Sequence, residues 1–304
     1  MVKSVNLLQI KYKEKIYDVY DFSLYCKKRK LLQQEEIKNS QIIYDGVVFD
    51  YSDYVKDLKQ TSKKFKKDNS DTQHILNPDF VFLYDKNLYV CLRYLGSLCS
   101  NITAGNHYSL LSYDKIPIDL YGIKSYVGCY FRRCLDFSTS ILWYNSTLDY
   151  FLQIFCSKFN FYNNITNKDV KKMDFEEIAK LCNYIKIRDA ISKIKKDKNN
   201  KEMFKWWDLI NSCYQNTSWI REIANSLKHK SGVFYENLDL PPLFKITKGD
   251  LKMEDAYVPK KVDIDRDFEK IIDSHNEIVK VYHFIIRRIN KEIENNKNGS
   301  ENNE

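Results

Sequence analysis

Residues 121–159, YGIKSYVGCYFRRCLDFSTSILWYNSTLDYFLQIFCSKF, decide the fold of this chain. The stretch contains no proline, and apolar residues such as Val127, Phe131, Ile141 and Phe155 recur along it at helical spacing. Further aromatic and aliphatic residues fill the remaining faces, as is typical of a helix in the middle of a bundle. The stretch therefore predicts one long core helix.

A second regular segment lies near the C-terminus. Its apolar positions alternate between spacings of three and four residues at Ile264, Phe268, Ile271, His275, Ile278, Tyr282, Ile285 and Ile289. This pattern predicts a long helix that closes the bundle. We expect His275, which lies on the apolar face, to be a hydrogen-bonded core residue rather than a ligand. Arg132 and Arg133 are expected to snorkel to solvent or to form salt bridges at the edge of the bundle, rather than to contact phosphate.

The composition favours an all-α protein. The chain has 304 residues, of which 43% are hydrophobic and 14% aromatic, so it can bury a substantial core. Gly (8) and Pro (5) are scarce, whereas a sheet-rich chain of this length uses more of both in its turns. The net charge of +8 is compatible with RNA or an acidic protein as partner.

The sequence Ile116-Pro117-Ile118 predicts a domain boundary, because a long helical pattern begins just after the proline. We expect residues 1–118 to form a mainly helical accessory region with helices at 11–39 and 47–66. Residues 119–292 are expected to form the helical bundle, and residues 293–304 a disordered tail.

Neither a metal nor a cofactor is expected. The eight cysteines are scattered, with no C-x-x-C pair and no histidine at ligand spacing, and there is no Gly-rich phosphate loop. The first residues lack the apolar core of a signal peptide, and no apolar run reaches transmembrane length. We therefore expect a cytoplasmic protein with reduced thiols and no membrane association.

The segment 217–232, TSWIREIANSLKHKSG, carries the best candidates for chemistry. Its apolar residues at i, i+3, i+4 and i+7 form one face of a helix, and Gly232 follows its end. Arg221, Asn225 and His229 form a second stripe, each advanced by about 40° from the one before, and Lys228 lies next to Arg221 in projection. One polar face thus presents a guanidinium, an amide, an ammonium and an imidazole group.

The long apolar helix, the later sequence REIANSLKH (221–229) and the final long helix together resemble the HEPN superfamily over residues 119–292. The resemblance implies an α-helical bundle that forms homodimers, and a metal-independent ribonuclease of toxin–antitoxin or antiviral defence systems. By this resemblance Arg221 binds the scissile phosphate, His229 acts as general acid or base, and Asn225 and Lys228 bind RNA. An antitoxin or another defence-system protein would be a partner.

The sequence departs from the superfamily pattern, in which the histidine follows the arginine after about four to six residues. Here seven residues separate Arg221 from His229, and Glu222 stands where an amide or imidazole side chain is common. Three interpretations stay open: a ribonuclease, a catalytically silent module that binds RNA or a partner protein, and the solvated face of an amphipathic helix.

Overall fold

The computed structural model describes residues 8–44, 46–67, 86–115, 126–166, 177, 180–196, 198–229, 233–236 and 260–301. This part of the chain is mostly helical, with 75% of its residues in helices. The helices are α1 Val19–Arg29, α2 Gln33–Lys38, α3 Tyr51–Lys64, α4 Lys86–Tyr113, α5 Tyr126–Lys158, α6 Tyr184–Ile191, α7 Lys201–Asn216, α8 Ser218–His229 and α9 Ile264–Glu301, with a 3-10 turn at Phe161–Asn164. The strands are β1 Leu8–Tyr12, β2 Lys15–Asp18, β3 Gln41–Tyr44, β4 Val47–Asp50, β5 Val233–Tyr235 and β6 Lys260–Val262.

The chain divides into two compact units, each assembled from segments that are distant in sequence. Unit 1 comprises residues 1–65, 107–140 and 223–271, and unit 2 comprises residues 66–106, 141–222 and 272–304. The predicted boundary near residue 118 lies outside the described residues. The division into an accessory region and a bundle therefore stays a prediction.

Unit 1 begins with an antiparallel sheet of order β2-β1-β3-β4. Ile10 of β1 pairs with Tyr17 of β2 and Ile42 of β3, which places these side chains on one face of the sheet. Helix α1 covers this face, since Phe22 and Cys26 belong to the same buried cluster as Ile10. The sheet and α1 therefore share one small core.

The sheet corrects the expected helix at 11–39, because β1, β2 and the turn between them occupy residues 8–18. Asp18 ends the hairpin and caps α1, where its side chain accepts a 2.6 Å hydrogen bond from the amide of Asp21. Strand β3, Gln41–Tyr44, lies between the two expected helices. The accessory region thus mixes strands with helices.

Buried polar contacts join the helical segments of unit 1. The guanidinium group of Arg133 on α5 donates to the carbonyl of Ser112 on α4 at 2.7 Å and to Asp265 on α9 at 2.5 Å. Arg132 pairs with Asp136 at 2.9 Å. The expected salt bridges are confirmed, although Arg133 is buried rather than at an edge.

Unit 2 is a helical bundle in which aromatic rings join α4 to α5, α5 to α7, and α7 to α9. Tyr144 of α5 is hydrogen-bonded to Nδ1 of His275 on α9 at 2.9 Å, and Nε2 of that imidazole lies 2.9 Å from the carbonyl of Lys66. His275 is fully buried. The predicted core helix and final helix are confirmed as α5 and α9, and so is the role of His275. Helix α9 continues to Glu301, so helix replaces most of the tail that we expected to be disordered.

Candidate functional site

Helix α8 follows α7 after a single residue, Thr217. The amide and the hydroxyl group of Thr217 both donate to the carbonyl of Cys213, at 2.9 and 2.7 Å, which ends α7 and lets the chain change direction. Ile220, Ile223 and Ala224 are fully buried, as their spacing predicts. Burial of this apolar face therefore determines which polar residues of α8 are exposed to solvent.

Arg221 is held in place by aromatic neighbours from its own unit. Its guanidinium carbon lies 3.8 Å from the ring centre of Tyr214 on α7 and 5.9 Å from that of Tyr184 on α6. Its Nη2 donates to the carbonyl of Tyr214 at 2.9 Å. A cation this close to a ring face is attracted by the ring quadrupole. The side chain that we expect to bind phosphate is thus half-buried in a defined position.

The two tyrosines form an ordered stack. Their ring centres lie 3.9 Å apart with planes 9° apart, and Tyr184 also stacks on Trp207. The hydroxyl of Tyr184 donates to Asn211 and accepts from Gln215. Burial raises the pKa of Tyr214, and the positive charge of Arg221 opposes that effect. The phenol of Tyr214 is therefore neutral at pH 7 and presents a hydrogen-bonding group rather than a charge.

An open cleft of about 490 Å³ adjoins this stack within unit 2. Its lining residues are Asp149, Gln153, Lys180, Cys182, Asn183, Tyr184 and Tyr214. Asn183 caps α6 by accepting from the amide of Ile185 at 2.9 Å, so its amide nitrogen is directed elsewhere. The cleft combines acceptors, donors and one lysine, and its volume falls in the range of small-molecule sites.

The remaining candidate residues are less constrained. Asn225 and Lys228 are exposed on α8, as is Glu222. His229 is the last residue of α8, and its side chain lies outside the described residues. Eight helical steps of about 1.5 Å separate Arg221 from His229 by about 12 Å along the axis. The structure thus brings Arg221 to Tyr214 and Tyr184, and helix geometry does not bring it to His229.

Sequence reasoning missed the tyrosine stack. Tyr214 precedes Arg221 by seven residues, a spacing that would place the two side chains on the same face of one continuous helix. The chain breaks between α7 and α8, however, so helical spacing does not predict this contact. Tyr184 belongs to a separate helix far along the chain, so no local pattern signals its contact with Tyr214.

No group of three or more His, Cys, Asp or Glu residues that could hold a metal ion occurs in the part of the chain that the structure describes. None of the helices in the same residues has the length and apolar character needed to cross a membrane. No protein-family model, no curated protein and no solved structure matches this chain.

Proposed function

We propose that this protein is a HEPN-like, cytoplasmic RNA-binding protein, and that the cleft of unit 2 receives a nucleotide of the RNA. The observation that carries the proposal is the position of Arg221, which is fixed against Tyr214, one of the residues that line an open cleft. An arginine already ordered by packing loses little side-chain entropy when it binds a phosphate group. The fold relationship rests on the sequence resemblance alone.

The lining of the cleft suits a nucleotide. The amide group of Gln153 offers a donor and an acceptor, and the amide nitrogen of Asn183 offers a further donor, which match the edge of a base. Lys180 supplies a positive charge for a phosphate group. Asp149 disfavours a second phosphate close to it, which makes a single nucleotide a better fit than a polyphosphate.

A ribonuclease is the second candidate. The observation that favours it is the exposure of Asn225 and Lys228 on α8, with His229 one helical turn after Asn225. An amide and an imidazole at this spacing can address one phosphate, and a neutral imidazole near pH 7 suits proton transfer to or from a ribose 2′-hydroxyl. In this proposal the working unit is a homodimer, and an antitoxin or another defence-system protein is a partner.

The binding test uses a fluorescein-labelled RNA hexamer of mixed sequence and measures anisotropy for the wild type, Lys180→Met and Gln153→Ala. We expect Lys180→Met to weaken binding and to lower the salt dependence of log K by about 0.7, the value for one phosphate contact with a single strand. Arg188→Met is the matched control, because Arg188 is an exposed cation of α6 that pairs with Asp189 outside the cleft. Equal binding by all four proteins would refute the cleft as the RNA site.

The cleavage test incubates a longer RNA with the wild type, Arg221→Ala and His229→Ala in EDTA, with melting temperatures recorded alongside. Loss of a positioned general acid or base lowers a rate by about a hundred- to ten-thousand-fold, so His229→Ala should nearly abolish cleavage. Unchanged cleavage in both variants, or cleavage that EDTA stops, would overturn the metal-independent mechanism. Binding by the wild type without cleavage would leave the RNA-binding module.

A further inference from the structure

Exposed cations gather at one end of unit 1. Helix α1 ends with Lys27, Lys28 and Arg29 and is followed by Lys30, and the turn between β1 and β2 adds Lys13 with Lys15 directly after it. We call these six residues, together with Tyr12 and Tyr25, the hairpin–helix patch. All six cationic side chains are exposed.

Contacts within the patch connect its two sides. Nζ of Lys13 lies 4.9 Å from the ring centre of Tyr12, and the guanidinium of Arg29 lies 5.8 Å from that of Tyr25. The two rings are 5.9 Å apart. Lys15 pairs with Tyr12 across the hairpin and so shares its face of the sheet. The hairpin and the end of α1 therefore place exposed cations beside the half-buried ring of Tyr25 and the buried ring of Tyr12.

These cations differ from others of the same unit in lacking acidic partners. Lys56 pairs with Asp53, and Lys64 pairs with Glu269. Within the described residues, no ion pair involves any of the six patch cations. Carboxylates near the patch include Glu14 in the turn and Glu36. Glu36 is hydrogen-bonded to the hydroxyl of Tyr12, raises its pKa and also interacts electrostatically with Lys13. The positive charge of the patch is thus largely uncompensated.

The backbone gives an independent reason to regard the patch as functional. Among the described residues other than glycine, four have positive φ, and three of them lie here: Lys13 at 48°, Glu14 at 66° and Lys30 at 56°. Lys13 and Glu14 form a two-residue hairpin turn in which Asn-Gly is preferred, and Lys30 occupies the helix-ending position in which Gly is preferred. Lysine at such positions costs stability, and strain of this kind clusters at functional sites.

From these observations we infer that the hairpin–helix patch binds the backbone of a single-stranded nucleic acid, with Lys and Arg side chains on successive phosphates and Tyr25 against a base. Uncompensated cations interleaved with aromatic rings are the combination that binds single strands without sequence preference. The inference does not depend on the cleft of unit 2, which takes one nucleotide.

A membrane surface fits the patch less well. Ile16 is 58% exposed, but it pairs with Lys11 on the face of the sheet opposite Tyr12, away from the patch. Among the described residues, Leu32, which follows Lys30 after one residue, is the large exposed apolar side chain that remains beside these cations. Stable binding to a bilayer requires a larger apolar area beside the basic residues.

The test measures anisotropy of a fluorescein-labelled, mixed-sequence RNA of 20 nucleotides over a range of salt concentrations. The triple variant Lys13→Ser, Lys28→Ser, Arg29→Ser should bind about tenfold or more weakly, and its slope of log K against log salt should fall by about 2, at roughly 0.7 per lost phosphate contact. The matched control neutralises three exposed cations of α3 in the same unit, Lys56→Ser, Lys59→Ser and Lys63→Ser, with the same change in net charge.

A mixture of nucleoside monophosphates should displace the hexamer from the cleft and leave the salt dependence of binding to the longer RNA unchanged. This competition separates failure of the cleft from failure of the patch.

A second measurement needs no variant. Acetylation of the wild-type lysines, with and without the 20-nucleotide RNA, should show protection of Lys13, Lys15, Lys27, Lys28 and Lys30 but not of Lys56. Equal weakening by the two triple variants, or no protection of the patch lysines, would overturn the inference. A parallel experiment uses vesicles of phosphatidylcholine with one third phosphatidylserine. If the wild type sediments with these vesicles, the triple patch variant does not, and neither binds RNA, the patch would be assigned to a lipid surface instead.

Discussion

Gly105 on α4 faces the ring of Tyr144, and this contact predicts the effect of adding one methyl group. A Cβ atom at residue 105 would lie 2.6 Å from Cε1 of Tyr144 and 2.9 Å from Cδ1 and Cζ. The ring is fully buried, and its hydroxyl is hydrogen-bonded to His275, whose other nitrogen is held by the carbonyl of Lys66. It cannot move away from the methyl group without losing that chain of contacts.

The expected change in the free energy of unfolding is the sum of three effects of Gly105→Ala. Alanine improves helix propensity by about 1 kcal/mol, overpacking costs about 1–3 kcal/mol, and a lost hydrogen bond costs about 1 kcal/mol. The free energy of unfolding should therefore fall by about 1–3 kcal/mol. Gly96→Ala is the matched control on the same helix, because its added Cβ would meet nothing within 4 Å, and it should gain about 1 kcal/mol.

Urea unfolding followed by circular dichroism measures both variants. We expect the midpoint to fall for Gly105→Ala and to rise for Gly96→Ala, with unchanged m-values. Stabilisation of the protein by Gly105→Ala to the same extent as by Gly96→Ala would refute the argument that Tyr144 is fixed by its hydrogen bonds.

Two further predictions concern charge and backbone strain in unit 1. Burial favours a raised pKa for Asp267, but hydrogen bonds from Lys270 and from the amide of Asp263 outweigh it and hold the pKa below its ordinary value. Its contribution to stability is therefore present above the ordinary aspartate pKa of about 4 and is lost as the pH falls through the lowered pKa. Unfolding curves of the wild type and Asp267→Asn should therefore differ at pH 7 and converge once the pH is below that lowered pKa. Lys30→Gly should raise the melting temperature by relieving a left-handed residue, a gain of about 0.5–1 kcal/mol, while weakening binding to the 20-nucleotide RNA; a lower melting temperature would contradict the strain argument.

The helices of the bundle could be predicted because their signal is local and repeated. Apolar residues at spacings of three and four along α9 leave one face to bury, and His275 on that face needs polar partners in the core. The structure supplies these partners from Tyr144 and Lys66, which are far apart in sequence. Periodicity therefore predicted that His275 is buried, whereas only the fold identifies its partners.

The N-terminal sheet was missed although one of its signals is strong. Asp45-Gly46 separates two short apolar runs, and this dipeptide is typical of a two-residue hairpin; Gly46 has φ of 79°. The other hairpin uses Lys13 and Glu14, which are not typical turn residues, so the alternation of apolar and polar residues in β1 had no turn signal beside it. Scarcity of glycine across the whole chain says little about one short sheet.

Contacts within the protein, and not its net charge, decide which of the described cations are available to a phosphate group. The side chain of Arg133 is buried, and its guanidinium group donates to Ser112 and Asp265. These partners compensate for the loss of water around its charge. A phosphate group cannot reach it. Arg221 is packed against Tyr214 but remains half-exposed beside the cleft. The cations of the hairpin–helix patch are exposed without ion pairs in the described residues. Because counterions are released mainly from such uncompensated contacts, the salt dependence of RNA binding should respond to the patch more than to any substitution at Arg133.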